Sequence, residues 1–152
     1  MRHAFTTLLT GVLAGAAALA GSPAHAAAEP DLRFHVSQYD SPGSDLRSPE
    51  SLNAEWITLI NSGRKPISLR GWSVAEAQGR TYTFGAVTIP GKGGRIKLHT
   101  GHGADTGTDV YWNSGNYIWN NTGDQATLRD PAGKTRDLCG WGYQDGRARV
   151  AC

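Results

Sequence analysis

The fold that this sequence predicts is decided by two short stretches, LRGWSV at residues 69–74 and TYTF at residues 81–84. Trp, Val, Tyr and Phe pack well on a pleated, half-buried surface. A turn at Gly79 lets the two stretches pair as a β-hairpin, and Gly71 lets the backbone turn tightly beside Trp72. We therefore expect Trp72 to fill the centre of a small β-sandwich core.

The rest of the chain continues this pattern of short strands separated by turns. Residues 32–37 (LRFHVS) alternate apolar and polar side chains, which predicts a strand with Leu32, Phe34 and Val36 facing inward. Residues 53–60 (NAEWITLI) are nearly continuously apolar, as expected of a central strand. Because no stretch shows sustained 3.6-residue periodicity, we expect little or no helix. The pattern predicts an all-β fold, an antiparallel sandwich or barrel.

Residues 1–26 have the features of a secretory signal peptide. A short basic head precedes an apolar run at residues 8–21, and the small-x-small sequence at residues 24–26 matches a signal-peptidase site. The apolar run is shorter than the roughly 20 residues of a membrane-spanning helix. We expect cleavage after Ala26, which would leave residues 27–152 as one secreted domain with no membrane span.

Charge and cysteine content fit a secreted domain without an obligatory acidic partner. Once Arg2 is removed, 14 of the 15 Lys and Arg residues remain against 13 Asp and Glu residues. Cys139 and Cys152 are an even pair in a chain that we expect to be secreted, so we expect them to form a disulfide. Such a bridge would hold the C-terminus in place.

Several motifs, in this order and spacing, resemble the lamin-tail domain family. They include NxEWI at residues 53–57, LxGWSV at 69–74, IPG at 89–91 and WNNxGDxAxL at 119–128. The resemblance covers about residues 32–141. It implies an immunoglobulin-like antiparallel β-sandwich, which agrees with the strand pattern.

On this fold we expect four large aromatic side chains to form the structural core: Trp56, Trp72, Phe84 and Trp119. The resemblance also implies an interaction module. Nuclear members of the family contact protein and DNA, and secreted bacterial members often accompany hydrolase or nuclease domains. The expected signal peptide and disulfide separate this chain from the nuclear members, and a fold does not fix an activity.

Residues 99–109 contain side chains of the types that bind divalent metal ions. His99 and His102, with Asp105 and Asp109 nearby, would suit zinc or another transition ion. Calcium would need more oxygen ligands than this loop supplies. The alternative is a polar loop in which Gly and Asp serve turn geometry. We expect the polar loop, and therefore no metal and no cofactor.

The sequence contains none of the common catalytic motifs. There is no Gly-x-Ser-x-Gly elbow, no His-Glu-x-x-His motif and no spaced carboxylate pair on a predicted strand. We expect no catalytic residue and no enzymatic activity. An enzyme would be favoured only if folding brought carboxylates or histidines into a pocket.

Two groups of residues are candidates for binding. Alternation places Arg95, Lys97 and His99 on one face of a predicted strand, where they would contact phosphates of a nucleic acid. The alternative is the solvated face of an exposed strand. A second group, interleaved with Asn, would stack on sugar rings or instead pack around Trp119, and consists of Tyr111, Trp112 and Tyr117.

The sequence therefore predicts a secreted, monomeric, non-enzymatic binding module at the cell surface or outside the cell. Its partner would be a protein, a glycan or a nucleic acid. The alternative function is an accessory domain that binds nucleic acid or cell-wall glycan in support of a separate hydrolase.

Overall fold

The computed structural model describes residues 30–152. The predicted signal peptide at residues 1–26 lies outside the described residues. These form eleven strands and one short helix: β1 (Leu32–Gln38), α1 (Pro49–Asn53), β2 (Trp56–Asn61), β3 (Ile67–Ser68), β4 (Ser73–Ala75), β5 (Thr81–Thr83), β6 (Thr88–Ile89), β7 (Gly94–His99), β8 (Asp109–Tyr111), β9 (Gly123–Arg129), β10 (Thr135–Gly142) and β11 (Arg149–Ala151). Within this range no helix is long and apolar enough to cross a membrane.

Two main sheets enclose one hydrophobic core. The first has the strand order β11-β1-β2-β7-β8 and the second has the order β10-β9-β4-β5, while β3 and β6 form a short additional pair. Every described strand pair is antiparallel except β7 and β8, which run parallel. Buried side chains of both main sheets belong to a single cluster. The predicted all-β, immunoglobulin-like sandwich is confirmed.

Strand β1 contains a bulge that changes which side chains face the core. The register against β2 shifts between Phe34 and Val36, so His35 is the extra residue. Leu32 and Phe34 are buried as predicted, but after the bulge Tyr39 is buried and Val36 is partly exposed. The prediction that Val36 faces inward is wrong because a bulge breaks the two-residue period of a strand.

The hairpin predicted at residues 69–84 is present. Strands β4 and β5 pair antiparallel, and Gly71 and Gly79 adopt φ angles of +81° and +97°, which favour glycine. Trp72, however, does not fill the centre of the core. It lies before β4, is half-buried and packs against the core from its rim, while the fully buried residue of this stretch is Val74.

The four aromatic residues expected in the core divide into two groups. Phe84 and Trp119 are buried. Trp56 is not a core residue, because Ile57 takes the inward position on β2 and alternation turns Trp56 to the outer face of the sheet. This outer position of Trp56 is the basis of the candidate site.

Two elements differ from the sequence-based expectations. Residues 49–53 form helix α1, with Pro49 in its first turn and Ser48 as its N-cap, whose side chain accepts a hydrogen bond from the Ser51 amide at 3.2 Å. Strand β2 therefore begins at Trp56 and not at residue 53. Strand β11, which we did not predict, pairs with β1. A run of only three residues is too short for a recognisable periodicity.

The predicted disulfide is present and joins the two sheets. Cys139 lies on β10 of the four-stranded sheet, and Cys152 directly follows β11 of the five-stranded sheet. Their Cα atoms are 5.3 Å apart, within the usual range for a disulfide. The bridge therefore anchors the C-terminal strand to the opposite sheet.

Candidate functional site

A groove with a volume of about 410 Å³ lies on the outer face of the five-stranded sheet. Five of its lining residues, which we call the basic face, are His35, Trp56, Arg95, Lys97 and Arg149. They come from β1, β2, β7 and β11. The rest of the lining is Val36, Thr58, Ile96, Thr108 and Asp109.

The register of the sheet explains why these side chains meet. Gln38 of β1 is paired with Trp56 on one side and with Arg149 on the other, so all three lie in one row across the sheet. Lys97 is paired with Thr58, two residues along β2 from Trp56. Side chains in one row, and those two residues apart, project from the same face of a sheet.

Trp56 is the centre of the basic face, with two cations against its ring. Lys97 Nζ lies 4.5 Å from the ring centroid, and the guanidinium carbon of Arg149 lies 5.3 Å from it. Arg149 is fixed further by a 3.0 Å hydrogen bond from its Nε to Gln38 Oε1. Cation–π contacts at exposed sites contribute about 0.5–1 kcal/mol each. The two charges are therefore held near one another on an aromatic surface.

Positive charge dominates the groove because its lining holds three permanent cations, Arg95, Lys97 and Arg149, against the single carboxylate of Asp109. Asp109 accepts hydrogen bonds from Thr108 Oγ1 at 2.6 Å and from His99 Nε2 at 3.0 Å, and the bond from Thr108, then that from His99, lowers the pKa of Asp109. The pKa of His35 is lowered by burial and then by the charge of Arg95. A bound anion would oppose this repulsion and favour protonated His35.

The residues proposed as metal ligands do not form a site. His99 uses both ring nitrogens, with Nδ1 2.8 Å from the carbonyl oxygen of Asn53 and Nε2 bonded to Asp109. Asp105 accepts a hydrogen bond from the backbone amide of Tyr111 at 3.1 Å, and His102 lies in an exposed loop. Within residues 30–152, no group of three or more His, Cys, Asp or Glu side chains is placed to hold a metal ion.

The aromatic residues proposed for sugar stacking point to three different parts of the molecule. The Tyr111 ring stacks on His99 with centroids 5.0 Å apart. Trp112 packs edge-on against Trp119 at 6.0 Å, at the core. The hydroxyl of Tyr117 is hydrogen-bonded to Ser51 on α1. These three side chains therefore do not make one stacking surface.

Arg95, Lys97 and His99 do share the outer face of β7, as the alternation predicts, but only the first two line the groove. Sequence reasoning missed His35, Arg149 and the outward position of Trp56. Strict alternation along β2, counted from buried Ile57, would have placed Trp56 outside. Alternation along residues 32–37 also places His35 outside, but it does not show which side chains lie beside it, and Arg149 lies on the unrecognised β11.

A buried carboxylate lies beneath the opposite, inner side of this sheet. Glu55 is 1% exposed, and its Oε1 accepts hydrogen bonds from Thr100 Oγ1 at 2.6 Å and from the backbone amide of Ile118 at 2.8 Å. Among residues 30–152 its Oε2 has no hydrogen-bond partner, and burial raises the pKa of Glu55 to about 7. Glu55 joins the start of β2 to residues 118–119, a structural task that needs no ligand.

A second hollow, of about 300 Å³, lies where the 143–148 loop meets the turn before β9. Its polar groups pair with one another. Asn121 Nδ2 donates to Asp40 Oδ1 at 3.0 Å, and Arg147 Nη1 donates to Gln144 Oε1 at 2.8 Å. Four of the side chains that line the hollow are therefore already paired with one another.

Comparison with known proteins identifies the family. The Lamin Tail Domain family matches residues 25–143, which is most of the chain. The match ends before β11, so Arg149 and Cys152 lie beyond it. No curated protein matches the sequence significantly. Lamin tail domains are non-catalytic, immunoglobulin-like interaction modules, and this chain belongs to the lamin tail domain family.

Proposed function

We propose that the chain is a secreted, non-enzymatic, monomeric binding module that holds an acidic glycan at or outside the cell surface. The observation that carries this proposal is the half-exposed ring of Trp56 with the cations of Lys97 and Arg149 against it. The predicted signal peptide at residues 1–26 supports secretion. Membership of a family of interaction modules supports binding without catalysis.

The shape and chemistry of the groove favour a polymer that carries carboxylate or phosphate groups on rings. Its permanent cations come from two strands, β7 and β11, so charge is spread along the face and is not focused at one point. A ring of the ligand would lie on the apolar surface beside Trp56, while acidic groups would pair with Lys97 and Arg149. Arg95 would contact the next acidic group along the chain.

A single-stranded nucleic acid is the second candidate, because bases stack on exposed aromatic rings and phosphates pair with neighbouring cations. The aromatic and cationic groups around Trp56 favour it too. The small excess of positive over negative residues in the whole chain, 15 against 13, argues for the glycan. Nucleic-acid binding draws its affinity mainly from phosphate neutralisation over an extended basic surface.

The proposal is tested by reversing one charge on each of two faces. The variant Lys97→Glu changes the basic face, and Lys134→Glu makes the same charge change in the exposed turn between β9 and β10. We expect Lys97→Glu to weaken binding of a fluorescent oligogalacturonate at least tenfold, about 1.4 kcal/mol, and Lys134→Glu to leave it nearly unchanged. Fluorescence anisotropy at two salt concentrations measures both.

A single-stranded oligonucleotide of the same length and a neutral oligoglucan serve as comparison ligands. Tighter binding of the oligonucleotide would favour the second candidate. Equal binding of the neutral and acidic sugars, or equal loss in Lys97→Glu and Lys134→Glu, would contradict the basic face as the site.

A further inference from the structure

Strand β11 supplies Arg149, one of the two cations against the Trp56 ring, and is a short strand at the edge of its sheet. It is three residues long, lies at the edge of the sheet and pairs only with β1 among the described strands. Of its three residues, Val150 is the one that faces the core and is buried. A short edge strand with one buried side chain belongs to the least stable part of a fold.

Backbone and side-chain hydrogen bonds flank β11: Tyr39 Oη donates to the carbonyl oxygen of Arg147 at 2.6 Å, and Gln38 Nε2 donates to the carbonyl oxygen of Ala148 at 3.3 Å. The backbone amide of Cys152 donates to the carbonyl oxygen of His35 at 2.9 Å, and the backbone amide of Tyr39 donates to the carbonyl oxygen of Ala148 at 3.1 Å. The segment before β11, residues 143–148, is largely exposed. Besides these contacts, β11 is attached covalently through Cys152, which directly follows it.

The two cysteines of this disulfide differ in exposure. Cys139 is 3% exposed, whereas Cys152 is exposed. A thiolate can therefore approach the bridge from the side of Cys152. Arg149 lies three positions before Cys152, so breaking the disulfide acts close to the contact between Arg149 and Trp56.

We propose that the Cys139–Cys152 disulfide is a redox switch for the basic face, in which reduction releases β11 and withdraws Arg149 from Trp56. This inference rests on the proposed function. A dithiol would transfer two electrons and two protons: one of its sulfurs forms a mixed disulfide as the bridge breaks, and its second sulfur displaces the protein. The protein then holds two free thiols, and the reductant becomes a cyclic disulfide.

The consequences for the site follow from the positions of the residues. The row that joins Arg149, Gln38 and Trp56 loses its first member, and the groove loses one wall. The edge of β1 at residues 36–38 loses its partner. Lys97 keeps its place on β7, so the reduced face retains part of its charge and its affinity falls without vanishing.

The experiment combines reduction with the variant Arg149→Ala. We expect dithiothreitol to weaken binding of the oligogalacturonate probe by about tenfold in the wild type, while Arg149→Ala in the oxidised state shows a similar loss. Reduction of Arg149→Ala should then produce little further loss, because the group it withdraws is already absent. Cys152→Ser without reductant should behave as the reduced wild type does.

Two-dimensional NMR provides a readout that needs no ligand. Reduction should shift the indole N–H signal of Trp56 and leave that of buried Trp119 in place, which also shows that the domain remains folded. An unmoved Trp56 signal, or a reductive loss of binding as large in Arg149→Ala as in the wild type, would overturn the switch. If the oxidised protein binds no acidic probe but the Trp56 signal still moves, the proposed function fails while the conformational switch stands.

Discussion

Trp119 and Trp56 show how differently one residue type is used on the two sides of the five-stranded sheet. Trp119 is 3% exposed and packs edge-on against Trp112 and Trp141, with centroids 6.0 and 5.6 Å away. Trp56 lies on the outer face between Lys97 and Arg149. The interior tryptophan packs in the core of the fold, and the outer one lies on the face that we propose as the binding surface.

The largest expected effect comes from the interior. Trp119→Ala would remove a buried indole and leave a cavity, so we expect the free energy of unfolding to fall by about 3–5 kcal/mol, enough to unfold a marginal domain. Urea denaturation followed by circular dichroism measures it. A loss below about 1 kcal/mol would show that the interior has been misassigned.

The buried carboxylate beside Trp119 makes the interior sensitive to pH. Burial raises the pKa of Glu55 from 4.5 to about 7, so folding favours the protonated carboxyl. Its stabilising contribution is complete below pH 4.5 and is lost as the pH rises through about 7, a change on the order of 3 kcal/mol. We expect Glu55→Gln to remove this decline between pH 5 and pH 8.

Urea denaturation at both pH values measures the effect, and Asp45→Asn in an exposed loop is the matched control. The lowered pKa of His35 acts in the opposite direction, since stability from a neutral histidine grows as the pH rises. The wild type and Glu55→Gln share this contribution of His35, so it cancels when their free energies of unfolding are subtracted. A decline of equal size in Glu55→Gln and the wild type would rule out Glu55 as its source.

A smaller effect is expected at the turn before β4. Gly71 has a φ angle of +81°, and a Cβ there would lie 3.4 Å from Cβ of Pro131. Gly71→Ala should therefore cost about 1–2 kcal/mol from the left-handed backbone alone. Gly85→Ala, where a Cβ meets nothing within 4 Å, is the control. Thermal unfolding of both variants compares them, and equal melting temperatures would contradict the strain at Gly71.

An effect on stability as small as that at Gly71 is expected at the outer face. Trp56→Ala removes two exposed cation–π contacts and part-buried ring area, so we expect a loss of about 1–2 kcal/mol, well below that of Trp119→Ala. Its effect on binding of the acidic probe should be much larger than its effect on stability. Unfolding and anisotropy measurements on the same preparation separate the two, and a loss as large as that of Trp119→Ala would place Trp56 in the core.

The alternating pattern of the strands predicted the sandwich and the hairpin at residues 69–84, and the even number of cysteines predicted the disulfide. It failed where the period of two was interrupted. The bulge at His35 turned Val36 outward, and helix α1 replaced the expected start of β2. Size alone placed Trp72 at the centre, but the glycine turn before it leaves Trp72 at the rim of the core.

The candidate site was only partly predictable. Alternation put Arg95 and Lys97 on one face, yet it gave no partner for them, because Trp56 was expected inside and Arg149 lies on a strand too short to recognise. The groove depends on which strands are neighbours. Strand order and register arise from long-range pairing, and local sequence patterns carry little information about it.

The most direct test of the basic face as a binding surface is an NMR titration of the oxidised, isotope-labelled protein with oligogalacturonate. The account predicts saturable shifts of the Trp56 indole signal and of backbone amides near Arg95, Lys97 and Arg149, with the four-stranded sheet unaffected. Shifts centred instead on the 143–148 loop or on the four-stranded sheet, or no shifts with any acidic ligand, would contradict it.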